Sequence, residues 1–236
     1  MHKNYCILFM SKSPSKYLID FCQTFQDSNN VYIITPENID AKNIVHIDKE
    51  NFFKDYNCNH FRLEMAKNLL MIANSDLIRK YNYFFSIEDD TFIRSSNHII
   101  NLANDLISTK SHLIVSDKLF DPPDFWYSDW EPEIKNSNTL KIKDKKCVSC
   151  SPITRYSKEI LLEANDIYLK ENKIYFHEIV YPLVCQKNKW TIQQICKTKY
   201  KMLLTLLHLD DCISHLNNAI DSRYDFIHPV KYGGIL

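Results

Sequence analysis

The first half of the chain alternates short apolar runs with longer amphipathic segments. Strands, predicted from nearly continuous apolar runs, cover residues 5–10, 31–34, 44–47, 83–87 and 112–116. Helices, predicted from apolar residues at helical spacing, cover residues 17–25, 61–78 and 96–107. This strand–helix alternation predicts an α/β fold class with a mainly parallel sheet flanked by helices. In such sheets the working site lies at the carboxyl ends of the strands.

The second half of the chain is less regular. Residues 117–146 combine three prolines with a group of aromatic residues, and we interpret them as a long loop over the site. These aromatic residues either stack on a bound ligand or anchor the loop by burial, and they are Phe125, Trp126, Tyr127 and Trp130. No repeat or composition change marks a boundary, so residues 1–236 are predicted to form a single domain.

Composition excludes several classes of protein. The formal net charge is zero, which argues against nucleic acid as a partner. The only glycines are Gly233 and Gly234, so the glycine-rich loops that cradle phosphates and dinucleotides cannot form earlier in the chain. Eight cysteines sit mostly in apolar runs and are predicted to be buried thiols. The one CxxC, Cys147 to Cys150, lacks a second ligand pair for zinc.

Apolar runs are all short of the roughly 20 residues that a membrane-spanning helix needs. The apolar run at 5–10 is also shorter than a signal-peptide core and is not followed by a small-residue cleavage site. We therefore expect a cytoplasmic location, with peripheral membrane association left open.

Three consecutive carboxylates, Glu88, Asp89 and Asp90, follow the most apolar predicted strand. Their charges repel one another, and a cation or hydrogen-bond donors offset that repulsion. Mg²⁺ and Mn²⁺ accept carboxylate oxygens and leave positions open for phosphate oxygens. The alternative is a solvated acidic turn, or a cap for the helix that follows.

The stretch from Tyr83 to Phe92, with sequence YFFSIEDDTF, resembles the DXD-type motif of GT-A fold glycosyltransferases in its Glu-Asp-Asp form. The resemblance implies that Asp90 binds Mn²⁺ or Mg²⁺, and that this ion bridges to the diphosphate of a nucleotide-sugar. It implies that Asp89 contacts the ribose or the transferred sugar and that Glu88 is a supporting acid. Many relatives place a glycine near the donor sugar, and this chain has none there.

Glu178 is the candidate catalytic base. In inverting members of the family a carboxylate at the start of a late helix takes the proton of the acceptor hydroxyl. Glu178 precedes Pro182, which is predicted to lie in the first turn of such a helix. A helix N-terminus favours the charged form of the acid and so weakens it as a base. The alternative is an ordinary exposed glutamate.

Residues near the C-terminus complete the predicted metal site. Many GT-A enzymes supply a late histidine as a further metal ligand, which implies that His228 is that ligand and that Lys231 holds the diphosphate. The alternative is a histidine in a terminal strand beside the rigid Pro229.

Donor contacts are also implied earlier in the chain. Ser11, Lys12 and Ser13 lie on the loop after the first strand, where family members hold the base and ribose of the nucleotide. Arg62 and Asn68 resemble donor-binding positions on the helix before the acidic motif, although surface roles fit them equally well.

Taken together, the resemblance implies a metal-dependent glycosyltransferase with a GT-A-like fold. Residues 1–116 are the expected donor-binding half and 117–236 the expected acceptor-binding and catalytic half. The donor is expected to be a UDP-sugar, the acceptor a hydroxyl of a glycan or glycoconjugate, and the outcome inversion, although a retaining enzyme fits the same residues. The alternatives are a non-catalytic module that binds nucleotide-sugars or glycans, and a metal-dependent phosphohydrolase or nucleotidyltransferase.

Overall fold

The computed structural model describes residues 4–25, 30–40, 43–46, 64–116, 119–120, 134, 136–140, 148–149, 152–204 and 224–228. The helices in these ranges are α1 (Lys16–Gln23), α2 (Glu64–Ala73), α3 (Leu77–Lys80), α4 (Ser96–Ile107), α5 (Lys158–Glu171) and α6 (His177–Asn188). The strands are β1 (Tyr5–Met10), β2 (Val31–Thr35), β3 (Ile44–His46), β4 (Tyr83–Glu88), β5 (Phe92–Ile93), β6 (Leu113–Val115), β7 (Leu119–Phe120), β8 (Val148–Ser149), β9 (Ile153–Ser157), β10 (Ile192–Gln194), β11 (Met202–Leu204) and β12 (Phe226–His228).

A seven-stranded sheet has the order β10-β6-β9-β4-β1-β2-β3. Its strands are parallel except β9, which runs antiparallel to both β4 and β6. The prediction of a mainly parallel α/β sheet is therefore confirmed. Two smaller sheets accompany it, β11-β12-β5 and β7-β8.

Helices cover both faces of the large sheet, as the continuous apolar runs predict. All six residues of β1 are buried. Cys6, Leu8 and Met10 pack in the layer of α2, α5 and α6, while Ile7 and Phe9 pack in the layer of α1 and α4. Because side chains alternate along a strand, the even-numbered residues at the end of β4 also face the α2 and α6 layer.

One helix prediction is wrong near its C-terminal end. The segment 61–78, predicted as one helix, contains α2, a break at 74–76 and the start of the separate short helix α3, and residues 61–63 lie outside the described ranges. The amide of Asn74 donates to the carbonyl of Leu70 (2.8 Å), and the Ser75 hydroxyl donates to that of Ile72 (2.9 Å). Such local side-chain bonds compete with the helical ladder, which explains the break.

Cysteine burial agrees with the sequence prediction for three of the four cysteines in the described ranges. Cys6, Cys22 and Cys185 are buried free thiols, and Cys196 is exposed. Burial raises the pKa of Cys22 and of Cys185 to about 12, so both stay protonated and unreactive. Cys147 and Cys150 lie outside the described residues.

None of the helices in the described ranges combines the length and the apolar character that crossing a membrane requires.

Arg155 is a fully buried arginine in the centre of β9. Its guanidinium donates to the carbonyl oxygens of Leu106 (3.0 Å), Thr109 (3.3 Å) and Ser111, at and beyond the end of α4. It also lies over the ring of Tyr83, 4.6 Å from the centroid. Arg155 therefore joins the sheet to the chain that leaves α4.

We expect Arg155→Met to lower the free energy of unfolding by about 3 kcal/mol, because it strips buried carbonyls of a charged donor. Urea denaturation measures this difference. Arg79→Met is the matched control, since the Arg79 side chain is 83% exposed and should leave stability nearly unchanged. Equal unfolding midpoints for the two variants would contradict the structural role of Arg155.

Candidate metal centre and its surroundings

A tight turn at 88–91 arranges the three consecutive acids. β4 ends at Glu88, whose carbonyl accepts from the backbone N–H of Thr91 (3.0 Å), while its own N–H donates to the carbonyl of Pro152 (3.0 Å). This turn separates the acids in space. Glu88 and Asp90 lie toward β12, and Asp89 lies toward the end of β1.

The small sheet brings the C-terminal region to this turn. β12 pairs antiparallel with β5, with Ile227 opposite Phe92. One step further along the ladder, His228 reaches the acids. Its Nε2 lies 3.1 Å from an oxygen of Glu88 and 3.1 Å from an oxygen of Asp90. The three potential ligand atoms all lie within 4.8 Å of one another.

These three side chains fit a divalent cation. Carboxylates favour Mg²⁺, Ca²⁺ and Mn²⁺, whereas imidazole favours transition metals, so Mn²⁺ matches both parts of the set. The side chains are partly exposed, with values of 29% for Glu88, 37% for Asp90 and 13% for His228. An ion from solvent can therefore reach them.

The proton on His228 competes with such an ion. Burial lowers the pKa of His228, but hydrogen bonds and charge from Asp90 and Glu88 outweigh burial and raise it to about 9. At neutral pH the imidazolium offsets the two carboxylates, and this stabilisation is lost as the pH rises through about 9. Because an imidazole must be neutral to bind a metal, an ion bound here would displace this proton.

Asp89 faces the loop after β1 instead of the cluster. The Ser11 hydroxyl donates to a carboxylate oxygen of Asp89 at 2.6 Å. This contact follows from topology, because β1 and β4 are parallel neighbours with Met10 opposite Glu88. Burial raises the pKa of Asp89, the Ser11 hydrogen bond opposes the rise, and the neighbouring acids add to it. Lys12, on the same loop, is exposed.

Glu178 is the second residue of α6 and is buried, with 7% of its surface exposed. The prediction that Pro182 lies in the first turn is wrong, because α6 begins at His177 and Pro182 is inside the helix. Pro182 has no N–H for the carbonyl of Glu178, so the helical ladder is interrupted there. Burial raises the pKa of Tyr156, and the charges of Glu178 and Glu88 add to the rise. The negative charges of both acids therefore favour the protonated form of Tyr156.

Two further polar side chains are buried: His177, which the sequence analysis did not single out, and Asn68, to which it gave only a weak donor-binding role. His177 is 8% exposed, and neither ring nitrogen has a hydrogen-bond partner within the described part of the chain. Burial lowers its pKa to about 3, so the imidazole is neutral. Asn68, on α2, is 4% exposed, and its side-chain oxygen also has no partner among the described residues.

Several predicted contacts lie outside the described residues. They are Arg62, Lys231 and the aromatic residues Phe125, Trp126, Tyr127 and Trp130. Their predicted roles stay predictions.

No family model and no curated protein sequence matches this chain. Solved structures do match. The apo structure of WbbM, a bifunctional glycosyltransferase, is 13% identical, with a TM-score of 0.50 over 99% of this chain and 46% of that one. The 4-diphosphocytidyl-2C-methyl-D-erythritol synthase of Anaerococcus prevotii is 10% identical, with a TM-score of 0.50 over 94% of this chain and 97% of that one. The galactosyltransferase LgtC, bound to donor and acceptor sugar analogues, is 10% identical with a TM-score of 0.45.

The two likenesses at a TM-score of 0.50 define the class of fold. The chain has the GT-A fold, a Rossmann-like α/β architecture, and the fold implied by the resemblance at 83–92 is confirmed. Because the two structures at a TM-score of 0.50 differ in the reactions that their names describe, the fold alone does not decide the activity.

Proposed function

We propose that this protein is a metal-dependent glycosyltransferase that moves a sugar from a nucleotide-sugar, with UDP as the expected nucleotide, to a hydroxyl of a glycan or glycoconjugate. The observation that carries the proposal is the meeting of Glu88, Asp90 and His228 at the carboxyl end of β4. Ligands in open α/β sheets bind at this end. The glycosyltransferase WbbM, which shares the fold, supports the same class.

Glu88, Asp90 and His228 are the residues that would hold Mn²⁺ or Mg²⁺. When bound, such an ion neutralises the diphosphate and stabilises it as a leaving group. In this proposal Glu88 binds the metal directly, whereas the family resemblance implies only a supporting role for it.

The remaining residues divide between donor and acceptor. The Ser11 and Asp89 pair supplies hydroxyl and carboxylate groups suited to ribose hydroxyls, and exposed Lys12 offers positive charge beside them. Ser13, Arg62 and Lys231 complete the proposed donor contacts.

Glu178 is the proposed base, which accepts the proton of the acceptor hydroxyl as that oxygen attacks from the face opposite the leaving group. Its burial favours this role over that of an ordinary surface glutamate. The donor half would be residues 1–116 and the acceptor half 117–236.

A nucleotidyltransferase is the second candidate. The Anaerococcus synthase shares the fold over nearly its whole length, which supports this alternative. The absence of glycine before residue 233 weighs against it, because a nucleotidyltransferase commonly holds its nucleotide with a glycine-rich loop. A binding module without turnover would need no buried acid at Glu178.

Calorimetry of the full chain with UDP, GDP and CMP, each with and without Mn²⁺, tests the proposed donor site. We expect one nucleoside diphosphate, UDP first, to bind at least about tenfold more tightly with Mn²⁺, since the ion links protein carboxylates to phosphates. Equal, metal-independent binding of all three nucleotides would contradict the metal-bridged site.

A further inference from the structure

The strand that carries His228 is only three residues long, and its register decides where the imidazole lies. The antiparallel ladder with β5 pairs Phe226 with Ile93 and Ile227 with Phe92. On its other side β12 pairs in parallel with β11. Just before β12, Tyr224 and Asp225 make a dense set of contacts with the chain that follows β5. These contacts involve side chains that the family resemblance does not assign.

Arg94 binds the backbone on the N-terminal side of β12. Its Nε and Nη2 donate to the carbonyl of Tyr224 at 3.0 and 2.7 Å. Its backbone N–H donates to the carbonyl of Asp225 at 3.0 Å, and its Nε lies 3.5 Å from the Asp225 carboxylate. One side chain therefore fixes two consecutive residues of the approaching strand.

His98 binds the same carboxylate from the first turn of α4. Its Nε2 lies 3.2 Å from an oxygen of Asp225, and its Nδ1 lies 2.8 Å from the hydroxyl of Ser95. When the Ser95 hydroxyl donates to Nδ1, the ring proton is on Nε2 and points at Asp225. The Asp225 side chain is only 15% exposed, so solvent screens these contacts weakly.

These contacts form a clamp, which we define as Arg94, Ser95, His98 and Asp225. Arg94 lies four residues after Asp90, and Asp225 lies three residues before His228. The clamp and the metal cluster therefore sit at the two ends of the same short antiparallel ladder. A shift of β12 by one residue would turn His228 to the opposite face.

We propose that Asp225, held by Arg94 and His98, is a positioning residue that sets the register of β12 and thereby places His228 in the metal centre. The inference rests on the proposed function only in so far as it takes the cluster of Glu88, Asp90 and His228 to be a metal site. Groups that orient a metal ligand without binding the metal commonly change affinity by about 10–100-fold.

Electron paramagnetic resonance of free Mn²⁺ measures the affinity of the full chain for the metal alone. We expect Asp225→Ala to weaken Mn²⁺ binding by about tenfold or more. Asp76→Ala is the matched control, because Asp76 is 80% exposed and pairs with Arg79 (3.6 Å) beside α3, outside the β11-β12-β5 sheet. Asp76→Ala should leave the affinity unchanged. Asp225→Asn serves as a milder variant if Asp225→Ala does not fold.

A double-mutant cycle with His228→Ala separates positioning from general damage. If Asp225 acts through His228, the Asp225 substitution should lose most of its effect once the imidazole is gone. An undiminished effect in the His228→Ala background would overturn the inference, as would an unchanged affinity in Asp225→Ala.

Nuclear magnetic resonance of the metal-free protein distinguishes a failure of the inference on Asp225 from a failure of the proposed function. The His228 ring resonances should shift in Asp225→Ala and not in Asp76→Ala. A wild-type protein that binds no Mn²⁺ would refute the metal centre, and unshifted His228 resonances would refute the positioning by Asp225.

Discussion

Asp90→Ala is expected to abolish Mn²⁺-dependent binding of the nucleoside diphosphate, with a loss of more than about 100-fold in affinity. The substitution removes one of the three converging groups that are proposed to hold the ion. It leaves only Glu88 and His228 of the cluster, too few groups to hold a divalent ion tightly. Calorimetry with UDP at fixed Mn²⁺ measures the change.

Asp76→Ala is the control for Asp90→Ala. The Asp76 side chain is 80% exposed and lies before α3, where its partner is Arg79. This variant should bind nucleotide and metal like the wild type. If Asp90→Ala retains Mn²⁺-dependent nucleotide binding, the ion is held by residues other than Asp90.

Glu178→Gln is expected to lower the rate of sugar transfer by about 10²–10⁴-fold while nucleotide binding stays nearly constant. Glutamine has almost the same shape but cannot take a proton. A neutral amide is also tolerated where Glu178 lies buried in α6. Transfer rates at saturating donor, together with UDP calorimetry, separate the chemical step from binding.

Glu159→Gln is a matched control for this substitution, because Glu159 is also the second residue of a helix, in the first turn of α5, but is exposed. It should retain full turnover. If Glu178→Gln also retains it, another group is the base, or the enzyme is retaining and needs none at this position.

The apolar runs of the sequence were sufficient to predict much of the large sheet. β1 has the predicted bounds, as does α4, because each is a clear pattern with a sharp polar boundary. β9 was not predicted as a strand, because the arginine in its sequence ITRYS interrupts the apolar run although it is buried in the structure. Only the distant carbonyls after α4 make that arginine compatible with burial.

The candidate site was predictable in part. The resemblance at 83–92 pointed to Asp90, and the late His228 came with it, and the structure brings both together. The equal proximity of Glu88 depends on the turn that closes between Glu88 and Thr91, and periodicity does not predict such a turn.

The residues that support the candidate site could not be predicted from the sequence. Asp225 and Arg94 meet only because β12 pairs antiparallel with β5, a contact between segments far apart in the sequence. The burial of His177, whose ring nitrogens have no hydrogen-bond partner among the described residues, likewise depends on the packing of α6 and not on local pattern. Helix and strand signals report burial, whereas these contacts are set by tertiary structure.

The nucleotide product released by the wild-type chain tests the central claim most directly. Nucleotide-sugars carrying UDP, GDP and CMP are incubated with the protein and Mn²⁺, with and without glycan acceptors, and the nucleotides formed are quantified by chromatography. The glycosyltransferase account predicts that a nucleoside diphosphate accumulates from one UDP- or GDP-linked donor, that Mn²⁺ is required, and that Asp90→Ala abolishes its release. A parallel incubation supplies a nucleoside triphosphate and a sugar phosphate instead. Pyrophosphate formed there, with no diphosphate released from any nucleotide-sugar, would contradict the account and identify a nucleotidyltransferase.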